Sequence, residues 1–168
     1  MKSCSFFGHR DTLITLELEE NVRKIVERLI VEEEVDTFLF GTRSSFYELC
    51  HRVVTELQKQ YPHICRVIYL CKHESACLVG AGTSLKQQIK QITGQDVYVG
   101  EYEEIKKSDR VNSAGKASYV ERNFQMVDDS EIVMIYLEDF KCLGSVSGAL
   151  KIYQYAIKNK KVIIKAKK

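Results

Sequence analysis

Residues 118–139, "SYVERNFQMVDDSEIVMIYLED", decide how the chain is read. The second half, "EIVMIYL" at 131–137, is a continuous apolar run, the pattern of a strand covered on both faces. The first half has helical spacing over 117–128, with Val120, Phe124 and Val127 as the stripe expected to pack on the sheet. Beside that stripe, Tyr119, Arg122, Asn123 and Met126 fall at i, i+3, i+4 and i+7, so they share one helical face. An arginine and an asparagine next to a core stripe call for a chemical reason.

Outward from this stretch, short β-rich runs alternate with helical patterns along the whole chain. "KSCSFFG" (2–8), "DTFLFG" (36–41), "CRVIYLC" (65–71), "DVYVG" (96–100) and "KVIIKA" (161–166) join 131–137 as predicted strands. Leu18, Val22, Ile25, Val26, Leu29 and Ile30 mark one helix. Phe46, Leu49, Val53, Val54 and Leu57 mark another, which stops near Tyr61-Pro62. Ala149, Ile152, Tyr153, Ala156 and Ile157 mark a third, with Ser147 as its cap, and residues 101–116 read as a polar loop. The stretch 72–95 has no assigned pattern beyond a helix-like "GAGTSLKQQIKQI". Alternating strands and helices with apolar strands predict an α/β fold. It is a Rossmann-like, doubly wound parallel sheet in a three-layer α/β/α sandwich.

The chain has 168 residues, 45% of them hydrophobic and 29% charged, which suits one domain over 1–168 with an ordinary core. A net charge of +2 gives no reason to expect nucleic acid as a partner. The basic C-terminal run "KNKKVIIKAKK" reads as a solvated edge strand and tail. No apolar run reaches the roughly 18 residues of a membrane span, and the N-terminus lacks the pattern of a secretory signal. The chain therefore reads as cytoplasmic, with its six cysteines as thiols. Cys71, His73 and Cys77 in "CKHESAC" do not match zinc-ligand spacing, so no metal and no cofactor are expected.

In a doubly wound sheet, ligands bind beyond the carboxyl ends of the strands, where strand order reverses. The unusual residues follow strands. Gly8, His9 and Arg10 follow the first, and Gly41, Thr42, Arg43 and Ser44 the second. Tyr119, Arg122 and Asn123 lie on the helix after the fourth. Gly144, Ser145, Ser147 and Gly148 follow the fifth, at a helix start. Glycine permits close backbone approach, helix N-termini bind phosphate, and arginine adds a fork of donors. Together they point to a phosphorylated, nucleotide-like ligand. Arg122 and Asn123 are then expected to face the cleft, with Arg122 serving binding rather than stability.

The combination "CSFFGHRD", "YxxRNxxMVDxS", a Gly/Ser helix start and "KNKKVI" resembles the SLOG superfamily over most of the chain. That group includes the Lonely Guy phosphoribohydrolases and the DprA proteins. The likeness is to the small bacterial members that open with a Gly-His-Arg strand end. The resemblance implies a nucleotide-binding fold, working as a homodimer or larger homo-oligomer. In the Lonely Guy enzymes an Arg-Lys pair and a glycine loop followed by a catalytic glutamate do the chemistry. Here Asn123 replaces the lysine, while Lys151 and Ile152 occupy the region of the acid. The related small proteins also carry an aspartate where Tyr47 stands. The resemblance therefore favours a sensor or regulatory module that binds a nucleotide. The alternative is an N-glycosidase that cleaves the base–ribose bond with a displaced acid, Glu48 or Glu121.

Overall fold

The computed structural model describes residues 1–42, 44–71, 74, 102–108, 116–138 and 148–167. Among these residues the strands are β1 (Ser3–Phe7), β2 (Thr37–Phe40), β3 (Cys65–Leu70), β4 (Glu104–Lys107), β5 (Ile132–Ile135) and β6 (Val162–Lys165). The helices are α1 (Leu16–Val31), α2 (Ser45–Gln58), α3 (Lys116–Asp128) and α4 (Gly148–Lys158). All strand pairs are parallel, in the order β4-β3-β2-β1-β5-β6. The chain runs outward from β1 to β4, then returns to pair β5 on the other side of β1. Strand order thus reverses between β1 and β5. With α1 packed on α2 and α3 on α4, the result is a Rossmann-like three-layer sandwich.

The strands form where apolar runs can be covered on both faces. β1, β2 and β5 are buried along their whole lengths. Phe6 is the centre of the core, with ring centroids 5.7 Å from Phe38 and 5.2 Å from Phe40. Burying one such ring is worth about 1.5–3 kcal/mol. The α1 helix starts at Thr15, whose Oγ1 accepts from Leu18 N at 3.1 Å and so satisfies one of the free first-turn donors. Arg52 on α2 reaches Glu19 at 3.0 Å, and Arg23 pairs with Glu56, so the outer surfaces of α1 and α2 are tied by charge.

Two expectations change here. The segment read as a polar loop contains β4, "EIKK", an edge strand with three charged residues of four, so no apolar run announces it. The predicted strand at 96–100 and the stretch 75–95 lie outside the described residues. On α3 the buried side is only in part the predicted one, since Val127 of the predicted stripe is buried but Arg122 and Ser118 are buried with it. Ser118, Arg122, Met126 and Val127 are buried, while Val120 and Phe124 are half-buried, Phe124 stacking on Tyr155 of α4 at 4.2 Å. No helix among the described residues is long and apolar enough to cross a membrane.

β4 is anchored by a carboxylate. Glu103 accepts from the Arg66 guanidinium at 2.6 and 3.0 Å, from Arg66 N at 2.7 Å and from Gln58 Nε2 at 2.9 Å. Burial alone would push its pKa up. The hydrogen bonds from Arg66 and Gln58 outweigh that and lower it from 4.5 to about 2. A depressed folded-state pKa contributes stability above the unfolded value, and that contribution fades as pH falls from 4.5 towards 2. Glu103→Gln is therefore expected to lower the urea midpoint at neutral pH, with the gap to wild type closing near pH 2. A gap that is constant with pH would show that the pairing carries no such linkage.

Candidate functional site

A cleft of about 460 Å³ opens at the carboxyl ends of the strands, where β1 and β5 part. The end of β1 supplies Phe7, Gly8, His9 and Arg10 to its wall. Thr42 and Ser44 come from the end of β2, and Tyr47 from α2. Tyr119, Val120, Arg122 and Asn123 project from α3, and Gly148, Ala149, Lys151 and Ile152 from the first turns of α4. The fold thus brings together Gly8, His9, Arg10, Thr42, Ser44, Tyr119, Arg122, Asn123 and Gly148, all singled out in the sequence. Gly41 adjoins the same wall through Arg122. Arg43, Gly144, Ser145 and Ser147 lie outside the described residues.

The loop after β1 is pinned from three sides. Glu138 N donates to His9 Nε2 at 3.1 Å, which ties β1 to the end of β5 and leaves Nδ1 as the protonated ring nitrogen. Ser44 Oγ donates to His9 O at 3.2 Å, and Thr12 Oγ1 donates to the same carbonyl at 2.9 Å. Ser45 N donates to Arg10 O at 2.9 Å. The cleft wall is therefore preformed rather than a loose turn.

Arg122 has another role than the expected one. It is 1% exposed and is the largest fully buried side chain among the described residues. Its Nη1 donates to Thr42 Oγ1 at 2.7 Å and lies 3.5 Å from Glu74 Oε1, a carboxylate that is itself 0% exposed. Nε and Nη2 both donate to Asn123 Oδ1, at 3.2 and 3.1 Å, and the guanidinium lies 5.2 Å from the Tyr119 ring centroid. Burial opposes its charge, but the neighbouring acidic groups outweigh burial and raise the Arg122 pKa. Burial pushes both the Tyr47 phenol and the Cys71 thiol up to about 12. Glu74 Oε1 also accepts from Cys71 N at 3.0 Å, while Oε2 is buried with no hydrogen-bond partner among the described residues. Arg122 thus neutralises a buried carboxylate and knits α3 to the ends of β2 and β3. The expectation that it has little part in stability is corrected accordingly, while its contact with a ligand, at a position that lines the cleft, stays a proposal.

The glycines are likewise explained by packing. A Cβ on Gly41 would lie 2.6 Å from Arg122 Nη2 and 2.9 Å from Tyr47 Cε2, and one on Gly8 would lie 2.6 Å from Phe46 Cβ. Neither glycine has a left-handed φ, so the space is what excludes a side chain. A Cβ on Gly148 would meet no atom of the described residues within 4 Å.

Neither candidate acid lines the cleft. Glu48 is exposed in the first turn of α2, where partial burial raises its pKa and Arg52 opposes the rise. Glu121 is half-buried on α3, outside the wall. No Asp or Glu is among the described residues that line the cleft. Arg10 and Lys151 line it, are exposed, and have no acidic partner among the described residues. Lys151 escaped the list of candidates, although its place in the region of the expected acid was the signal. Tyr47 escaped because a tyrosine in an apolar helical pattern reads as core. No described group of three His, Cys, Asp or Glu side chains could hold a metal ion, while His73 and Cys77 lie outside the described residues. No family model matches the chain, and no curated protein matches it.

Proposed function

We propose that the cleft binds a nucleotide or nucleotide-derived phosphorylated ligand, and that the protein works as a cytoplasmic sensor or regulatory module of SLOG type. The observation that carries the reading is the make-up of the wall. It combines two exposed cations that have no acidic partner among the described residues, Arg10 and Lys151, with the first turn of α4, and no described carboxylate. Main-chain N–H groups at a helix start and cationic side chains attract an anion. The position at the reversal of strand order is where such folds hold ligands. A homodimer or larger homo-oligomer belongs to the same proposal, and light scattering on the purified chain tests it.

Cleavage of a base–ribose bond needs a carboxylate at the anomeric carbon, to stabilise the developing charge or to activate water. Phosphate-directed donors raise affinity without lowering that barrier. Titration calorimetry with AMP, ADP-ribose and inorganic pyrophosphate is expected to show binding. Lys151→Glu should weaken it at least tenfold with an unchanged melting temperature, since Lys151 is exposed. Incubation with AMP or ADP-ribose should release no free base. Base release abolished by Glu48→Gln or Glu121→Gln would replace the sensor reading with a glycosidase. Absence of binding to all three probes would remove the reading altogether.

A further inference from the structure

Asn123 holds donors that the buried network leaves unused. Its Oδ1 accepts from Arg122 Nε at 3.2 Å, from Arg122 Nη2 at 3.1 Å and from the Tyr47 hydroxyl at 3.2 Å. A guanidinium has no acceptor atom, so turning the amide over would set Nδ2 against N–H groups. The orientation of the amide is therefore fixed by its neighbours. Nδ2 then carries two N–H groups with no acceptor among the described residues. Asn123 is half-buried and lines the cleft together with Arg10, Lys151 and the first turn of α4.

We infer that Asn123 Nδ2 is a direct ligand donor, hydrogen-bonding an anionic phosphoryl oxygen, and that Arg122 and Tyr47 are positioning residues acting through Asn123 Oδ1. The inference rests on the reading of the cleft as a phosphate site. It divides the labour on α3 between neighbours in sequence. Arg122 spends its charge on Glu74 inside the fold, and Asn123 meets the ligand with a neutral amide. The amide is rigid because three donors grip its oxygen, so its N–H groups are aimed before the ligand arrives.

Asn123→Asp tests this with almost no change in shape. The carboxylate keeps an acceptor for Arg122 and Tyr47 but sets an oxygen where the N–H groups were. Affinity for AMP and for inorganic pyrophosphate is expected to fall at least tenfold, with the melting temperature unchanged or raised. In 15N-labelled wild-type protein, the Asn123 side-chain amide signal is expected to shift on saturation with pyrophosphate. The shift should shrink in Tyr47→Phe, an effect that a merely structural tyrosine would not have. Wild-type binding of neither probe would end the phosphate-site reading and this inference with it. Binding of both probes with equal affinity by Asn123→Asp, or an amide signal that does not move, would leave that reading standing and overturn the donor assignment. A loss confined to AMP would move the Asn123 contact to the nucleoside and overturn the anion assignment.

Discussion

Arg122→Ala is expected to lower the unfolding free energy by about 3–5 kcal/mol, the range for removing one partner of a buried ion pair. For a chain of this length that corresponds to a fall in melting temperature of roughly 6–20 °C. The loss has three sources. Glu74, 0% exposed, is left as a buried carboxylate without its cation. Thr42 Oγ1 and Asn123 Oδ1 lose charge-assisted donors. The truncation also leaves a void where a large, fully buried side chain stood. Arg122→Lys should recover only part of the loss, because an ammonium is a point charge and cannot reach Thr42, Glu74 and Asn123 together as the fork does.

The remedy for such a defect is to remove the charge on both sides. Arg122→Met combined with Glu74→Gln should be more stable than Arg122→Met alone, since no uncompensated carboxylate remains. Thermal or urea denaturation of the variants measures this. If Arg122→Ala melts within about 2 °C of wild type while probe binding is lost, Arg122 is a ligand donor and not a structural cation.

What could be read from the sequence follows from how local each signal is. "TFLF", "VIYL" and "IVMI" are legible as strands because a parallel strand covered on both faces must be apolar throughout. The "EIKK" strand is illegible for the same reason, since an edge strand with exposed charges resembles a loop. The convergence of Gly8, His9, Arg10, Thr42 and Asn123 was legible because topology alone carries strand ends to one edge. The burial of Arg122 was not. Its partner Glu74 is far along the chain, in a stretch without a readable pattern, so the arginine read as a cleft-facing cation beside an apolar stripe. Tyr47 stood out in the sequence only as the residue at the place of an aspartate in the related small proteins. It is buried, and its hydroxyl holds the Asn123 amide at the cleft. The glycines misled as to cause. Gly8 and Gly41 suggested close approach of a ligand, whereas protein side chains occupy the space a Cβ would fill.

Gly8→Ala is expected to destabilise the protein by about 1–3 kcal/mol, the usual cost of overpacking a filled core. The opposite sign would be the natural guess. Gly8 has no left-handed φ, and replacing glycine by alanine at a compatible backbone position gains about 0.4–1 kcal/mol by restricting the unfolded chain. Space reverses the balance. The added methyl would lie 2.6 Å from Phe46 Cβ, 2.6 Å from Cγ and 2.7 Å from Cδ1, all closer than real Cβ atoms come. These are the root of the side chain, fixed to the α2 backbone, and not a flexible end. The ring has no retreat either, for Phe46 is 0% exposed and stacks on Tyr136 at 5.7 Å with an interplanar angle of 19°. Relief must come from moving α2 away from β1, and that shift would displace His9 and its bond to Glu138 N at the cleft wall. Gly8→Ala should therefore also weaken binding of AMP. The cycle with Phe46→Ala isolates the cause. Phe46→Ala alone should cost about 3–5 kcal/mol. In that background the Gly8→Ala penalty should shrink without vanishing, because the contacts with Cγ and Cδ1 are gone while the 2.6 Å contact with Cβ remains. If the full Gly8→Ala penalty persists without the Phe46 ring, the contacts with Cγ and Cδ1 carry none of it and the account of the ring as the obstacle fails.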